Sequence, residues 1–301
     1  EDATVKYGSQ EGTYNLQNSP TYTDAGTYNV YYQVTMPNYT TVTGSKTVEI
    51  SKANITPTVA LEGWTYGTTA NTPSITGNTG NGTVTYTYKA EGTETFAETM
   101  PEVVGTHTIK ATIAETTNYN AGEATAEFTI TAATSSVTAK GYKGAYDKQA
   151  HGITVTAPEG STVMYGTQEG TYEQSESPTY TNAGNYTVYY QVTKENYTTV
   201  TGSVTIEISK ADITPTVTLE GWTYGTTAKT PNITGNTGEG TVTYTYKAEG
   251  ADAFGEIAPE VVGTHTVKAS IAETTNYNAG EATATFTITA ATMTVSAVGH
   301  E

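Results

Sequence analysis

The 301-residue chain holds 69 Thr, 24 Tyr and 30 Gly but only three Leu, no Cys and no Arg, with a formal net charge of −17. Thr and Tyr pack well on a pleated surface, and the scarcity of helix formers argues against the crossover helices of an α/β enzyme. Without Arg, and this acidic, the chain has no fork for phosphate or base edges, which excludes nucleic-acid binding and attraction to anionic membranes. No run of 18 apolar residues is present, so no transmembrane helix is expected. Zero Cys removes disulfides and thiolate chemistry. No export, sorting or lipidation motif is read, which suggests a mature piece or an excised fragment.

In chain order, the first clear element is residues 27–35, where Tyr28, Val30, Tyr32 and Val34 alternate with Thr27, Asn29, Tyr31 and Gln33. That period of two predicts a half-buried strand. It is entered by Asp24-Ala-Gly26 and left through Pro37-Asn-Tyr39, with a partner strand over 41–51. Next, a strand pair flanks the glycine-rich loop 76–82. Strands over 106–114 and 123–131 then enclose the hairpin Asn118-Tyr-Asn-Ala-Gly122. After residue 134 the chain repeats itself. Residues 7–134 align with 165–292 at an offset of 158 without a gap, and only 26 of the 128 positions differ.

Each 158-residue period splits into two modules, here called type A and type B. The expected order is A over 1–52 (lacking its opening), B over 53–132, A over 133–210 and B over 211–290, with 291–301 as the first strand of a further module. About seven short strands per module, separated by turn residues, indicate a β-sandwich. The expected architecture is all-β, tandem sandwiches in an elongated rod, because linkers of one or two residues leave little hinge room.

Asp24-Ala-Gly-Thr-Tyr28 and Asn182-Ala-Gly-Asn-Tyr186 resemble the tyrosine corner of immunoglobulin-like folds, with His107 and His265 in that position of the B modules. Where antibody domains carry Cys, two residues on, this chain has Val30 and Val188. The chain as a whole resembles the tandem bacterial immunoglobulin-like repeats grouped with MBG-type modules of large Gram-positive surface proteins. The features that carry this are the corner, the strand ending Glu-Ile-Ser-Lys-Ala, and Gly63-Trp-Thr-Tyr-Gly67 with its Asn-Tyr-Asn-Ala-Gly partner. Gly141-Tyr-Lys-Gly-Ala-Tyr-Asp147 followed by His151-Gly152 looks like the opening of such a module. The resemblance implies a wall-attached or secreted stalk, extracellular, and no particular ligand.

Trp64 and Trp222, each two residues before a Tyr (Tyr66, Tyr224), are the candidate ligand residues. They read either as a platform on which sugar rings stack or as a cap that buttresses the core or the next module. Tyr31, Tyr189, Tyr86, Tyr88, Tyr244 and Tyr246 carry the same ambiguity. The four His are never paired at ligand spacing, and no Asp-x-Asp-x-Asp-Gly loop exists, so no metal or other cofactor is expected. Glu91, Glu94, Glu98, Glu102, Glu115 and Glu123 read as a solvated acidic face. Lys, Asn, Thr and Gln, among them Gln33 and Gln191, make an internal side-chain crosslink conceivable without placing one. No nucleophile elbow, Ser–His–acid set or phosphate loop is present, so the reading is non-enzymatic.

The reading that follows is a non-catalytic repeat stalk or spacer of a bacterial cell-surface or secreted adhesin. The alternative is a binding module that recognises host glycans, a host glycoprotein or an immunoglobulin through exposed Tyr and Trp. One asymmetry adds a partner. The first A module lacks the counterpart of 134–158, whereas 293–301 repeats 135–143. An unpaired edge invites strand addition, so two readings stand: an arbitrary or proteolytic boundary that leaves the first module incomplete, or head-to-tail strand exchange between copies.

Overall fold

A computed structural model describes residues 2–298. The described chain is all-β, without a helix. The described residues divide into two compact units, 2–134 with 196–198, and 135–195 with 199–298.

The first unit begins with β1 (Thr4–Gly8), β2 (Gly26–Thr35) and β3 (Val42–Ile50), an antiparallel sheet in that order. It continues with β4 (Thr58–Ala60), β5 (Trp64–Thr65), β6 (Ser74–Thr76), β7 (Val84–Ala90), β8 (Gly105–Ile113) and β9 (Gly122–Thr131). Here β4 pairs with β6, and a four-stranded sheet runs β5-β9-β8-β7. The two sheets close on one core. Alternation along β8 turns His107, Ile109, Ala111 and Ile113 inward, and Val59 of β4 with Leu61 just beyond it meets them from the small sheet.

The second unit holds two such sandwiches. One is β10 (Thr138–Lys140), β11 (Lys143–Ala145), β12 (Thr154–Thr156), β13 (Thr162–Gly166), β14 (Gly184–Thr193) and β15 (Val200–Ser209), with sheets β10-β12 and β11-β15-β14-β13. The other is β16 (Thr216–Thr218), β17 (Trp222–Thr223), β18 (Asn232–Thr234), β19 (Val242–Ala248), β20 (Gly263–Ile271) and β21 (Gly280–Thr289), with sheets β16-β18 and β17-β21-β20-β19. These are two-sheet β-sandwich modules, each with six named strands where the sequence suggests about seven.

In every six-stranded module the chain starts in the small sheet, crosses over, and pairs parallel with that module's last strand. The pairs are Trp64↔Ile130, Lys143↔Glu207 and Trp222↔Ile288. The crossing requires glycine: at Gly63, Gly141 and Gly221 an added Cβ would overlap the carbonyl oxygen of Thr129, Thr205 and Thr287 respectively.

The first three strands differ. Among the described residues no strand pairs with the outer edge of β3, and no small sheet covers it. Val48 on β3 is 38% exposed, whereas Ile206, its counterpart on β15, is fully buried. The expected strand after residue 290 does not form over 291–298; residues 299–301 of that segment lie outside the described residues.

Candidate functional site

Three features recur through the repeat: a corner, an aromatic cleft and a loop-to-corner clasp. At the corner, Tyr28 Oη donates to Asp24 O at 2.9 Å and Tyr186 Oη to Asn182 O at 3.1 Å. In the type-B modules His107 Nε2 lies 2.9 Å from Val103 O and His265 Nε2 2.8 Å from Val261 O. A carbonyl only accepts, so Nε2 carries the proton, and the buried Nδ1 of each is left without a partner. The rings of Phe128 and Phe286 lie beside these imidazoles.

The cleft lies at the crossover of the type-B modules. In one, Trp64, Tyr66, Thr68, Pro101 and Glu102 line about 390 Å³; in the other, Trp222, Tyr224, Thr226, Pro259 and Glu260 line about 360 Å³. The indoles are not its open floor. Trp64 stacks on Phe128 with centroids 5.4 Å apart and Trp222 on Phe286 at 5.2 Å, and Trp222 is only 9% exposed. The tyrosines two residues on stand at the mouth: Tyr66 meets Tyr197 edge-on at 5.6 Å, while Tyr224 is 53% exposed. The cleft thus offers one Tyr ring, one carboxylate and a threonine hydroxyl that already donates to a backbone carbonyl.

Of the other sequence candidates, Tyr88 is buried, and burial raises the pKa of the Tyr88 and Tyr246 phenols above the ordinary value. Tyr86 and Tyr244 pack against the two type-B cores. Tyr31 and Tyr189 are half-buried on β2 and β14, as are Gln33 and Gln191. His151 stacks on Tyr142 and sits 3.0 Å from Asp147 Oδ1. Gln149 N–H, then His151, hold the Asp147 carboxyl below the usual range. Glu115 pairs with Lys52, and Glu123 pairs with Lys110. Among the described residues no group of three or more His, Asp or Glu could hold a metal.

The clasp is what the sequence reading missed. In the first unit, Ala53 N–H donates to Asn118 O at 2.8 Å and Asn120 N–H returns to Ala53 O at 2.9 Å. The Asn118 side chain meanwhile accepts from Ala25 N–H at 2.6 Å and donates to Asp24 Oδ1 at 2.9 Å. One Asn thus ties the hairpin of the type-B module to the corner of the type-A module. The second unit repeats this with Ala211, Asn276 and Asn278, and Asn276 grips Ala183 N and Asn182 Oδ1. There Tyr277 also meets Tyr146 edge-on at 5.4 Å. Residues 196–198, which cluster with the first unit, make the same set: Ala133 N to Asn196 O, Thr198 N to Ala133 O, and Val104 N to Asn196 Oδ1 at 2.9 Å. The dipeptide Asn-Tyr occurs at 38, 118, 185, 196 and 276, and the clasps are made at 118, 196 and 276, whereas Asn185-Tyr186 lies on β14.

A family profile described as "MBG domain" matches residues 135–212, which spans β10 to β15. No curated protein matches the chain. Solved structures that align with it include Drosophila N-cadherin EC1-4, at 10% identity and a TM-score of 0.26 over 95% of this chain and 92% of that one. The N-terminal four Ig domains of Dscam1 isoform 6.9 align at 12% identity and 0.27 over 95% and 91%. Protocadherin Gamma B2 extracellular cadherin domains 3-6 align at 12% and 0.28 over 89% and 84%. Likeness this distant supports no argument about function.

Proposed function

We propose that this chain is a non-catalytic repeat spacer of a bacterial cell-surface or secreted adhesin, built to carry load rather than to bind or transform a ligand. The observation behind this reading is the parallel pairing of the opening and closing segments of each six-stranded module. Around β11 and β15 it includes Glu207 N to Tyr142 O and Tyr146 N to Ser209 O, both at 2.8 Å. Pulling the ends of such a module loads these hydrogen bonds together, in shear, so that none can open alone. The clasps add load-sharing contacts between modules, and stability then sums over units and their interfaces.

A second reading, a glycan- or glycoprotein-binding module, draws on Tyr224, whose exposed ring borders the cleft with Glu260. Stacking of both indoles on Phe, with Trp222 buried and Trp64 half-buried, supports the buttress role of Trp64 and Trp222. The deciding experiment probes an array of mucin glycans, plant polysaccharides and host glycoproteins with the chain and with a Tyr66→Ala/Tyr224→Ala variant. No binding by the parent is expected. Binding that disappears in the variant, with its circular dichroism unchanged, would replace the spacer by a lectin-like module.

A further inference from the structure

The loop between β6 and β7 of the first type-B module reads Gly77-Asn-Thr-Gly-Asn-Gly82, and its counterpart in the second reads Gly235-Asn-Thr-Gly-Glu-Gly240. The two are built alike. Asn78 clamps Gly82 from both sides, its Nδ2 donating to Gly82 O at 2.9 Å and its Oδ1 accepting from Gly82 N–H at 3.1 Å. Asn236 holds Gly240 at the same two distances. The residue before each clamped glycine takes a left-handed turn, with φ 51° at Asn81 and φ 55° at Glu239. That position is where the two loops differ, an amide in one and a carboxylate in the other.

Asn81 is the one Asn in the chain that precedes a glycine. The fold itself demands that glycine: Gly82 is buried, and an added Cβ would overlap the carbonyl oxygen of Ala114. With no Cβ on the following residue, the next backbone nitrogen reaches an Asn side chain unhindered. What opposes that attack in the closed loop is the clamp. Gly82 N–H is already committed to Asn78 Oδ1, and Gly82 is held in place against Ala114. Asn81 itself is exposed, so water meets its amide freely.

We propose that Asn81 is a deamidation site, latent while Asn78 holds Gly82 N–H and reactive whenever the loop opens. In the open loop Gly82 N gives up its proton and bonds to Asn81 Cγ. The Cγ–Nδ2 bond breaks, and Nδ2 leaves as ammonia with that proton. The cyclic imide then takes up water. Cleavage between Gly82 N and Cγ yields aspartate, and cleavage between Gly82 N and the Asn81 carbonyl carbon yields isoaspartate. An amide and a water become a carboxyl group and ammonia, with no oxidant or reductant. Aspartate suits the closed loop, since Glu239 already holds an acid at that turn. Isoaspartate does not, because it adds a main-chain atom between Gly80 and Gly82. An added Cβ at Gly80 would lie 2.8 Å from Tyr119, and Gly82 abuts Ala114 O, so neither anchor has room to shift. The isoaspartyl loop is therefore barred from its seat on the Asn118-Tyr-Asn-Ala-Gly122 hairpin. Each opening of the first type-B module exposes it to an irreversible mark that Glu239 denies the second. Load, heat and denaturant all open the loop, so the site stands apart from the spacer role.

The test incubates the full chain in mildly alkaline buffer, folded and in urea, and maps its peptides by mass. The unfolded chain is expected to gain about 1 Da at Asn81, and the folded chain to do so at least about tenfold more slowly. The peptide carrying Glu239 serves as the internal control at that turn. Asn78→Ala removes the clamp and is expected to speed the folded reaction at least about tenfold. Asn78→Asp keeps an acceptor for Gly82 N–H and is expected to react more slowly than Asn78→Ala. Circular dichroism checks that both variants are folded, so an unfolded chain is not read as an unclamped loop. Isoaspartate is counted by enzymatic methylation of its free α-carboxyl group. Once the isoaspartyl chain is back in native buffer, amide hydrogen exchange over residues 114–122 is expected to be faster than in the parent. An unfolded chain that keeps its mass at Asn81 overturns the proposal, and so does a folded parent that reacts as fast as the unfolded one. A folded Asn78→Ala variant no faster than the parent overturns the clamp, and parent-like exchange in the isoaspartyl chain overturns the loss of the seat.

Discussion

Residues that look alike in the repeat do unlike amounts of work. The corner histidines are buried and packed against Phe128 and Phe286, whereas Tyr28 and Tyr186 are only half-buried. Removing a buried ring costs both its contacts and the cavity left behind. His265→Ala is therefore expected to destabilise its module by about 3 kcal/mol, and Tyr186→Phe by about 0.5–1 kcal/mol. Urea unfolding of the two variants checks the order. Asn276→Ala leaves Ala183 N–H without its acceptor and is expected to cost about 1 kcal/mol. A charge pair gives a pH-dependent effect. Hydrogen bonding from Lys268, with its positive charge, lowers the pKa of the Glu281 carboxyl below its ordinary value. A depressed folded pKa means the stabilisation is present above the unfolded carboxylate pKa and fades as pH falls through the folded one. Glu281→Gln should thus lower the melting temperature slightly at pH 7, less in high salt, and leave it unchanged at pH 2.

At the scale of elements, the crossover decides whether a module closes. Gly221 passes so near Thr287 that any side chain must push the two segments apart. Gly221→Val should break the Trp222↔Ile288 pairing and bring the indole into water, seen as a red shift of fluorescence and quenching by iodide. Unchanged emission would contradict the role given to that glycine. Much of this was legible in the sequence, because strand periodicity is local: β2 and β3 over 26–35 and 42–50 lie within a residue or so of where alternation puts them. The cleft was half legible. Trp64-x-Tyr66 marked the place, yet period and spacing cannot show that Phe128, sixty-four residues away, covers the indole. The clasp was hidden for a related reason. Asn118 looks like an ordinary turn residue, and its second role depends on Ala25 and Asp24, more than ninety positions earlier.

For the molecule as a whole, a load-bearing spacer would resist force through its parallel terminal pairs, and the first module, without one, would be the weak member. Stretching single chains between their ends measures this most directly. Three high-force events are expected, each releasing roughly 250 Å of chain for half of a 158-residue period. Before them, the first module should yield at clearly lower force. Four equal low-force events, or a first module as strong as the rest, would contradict the load-bearing role.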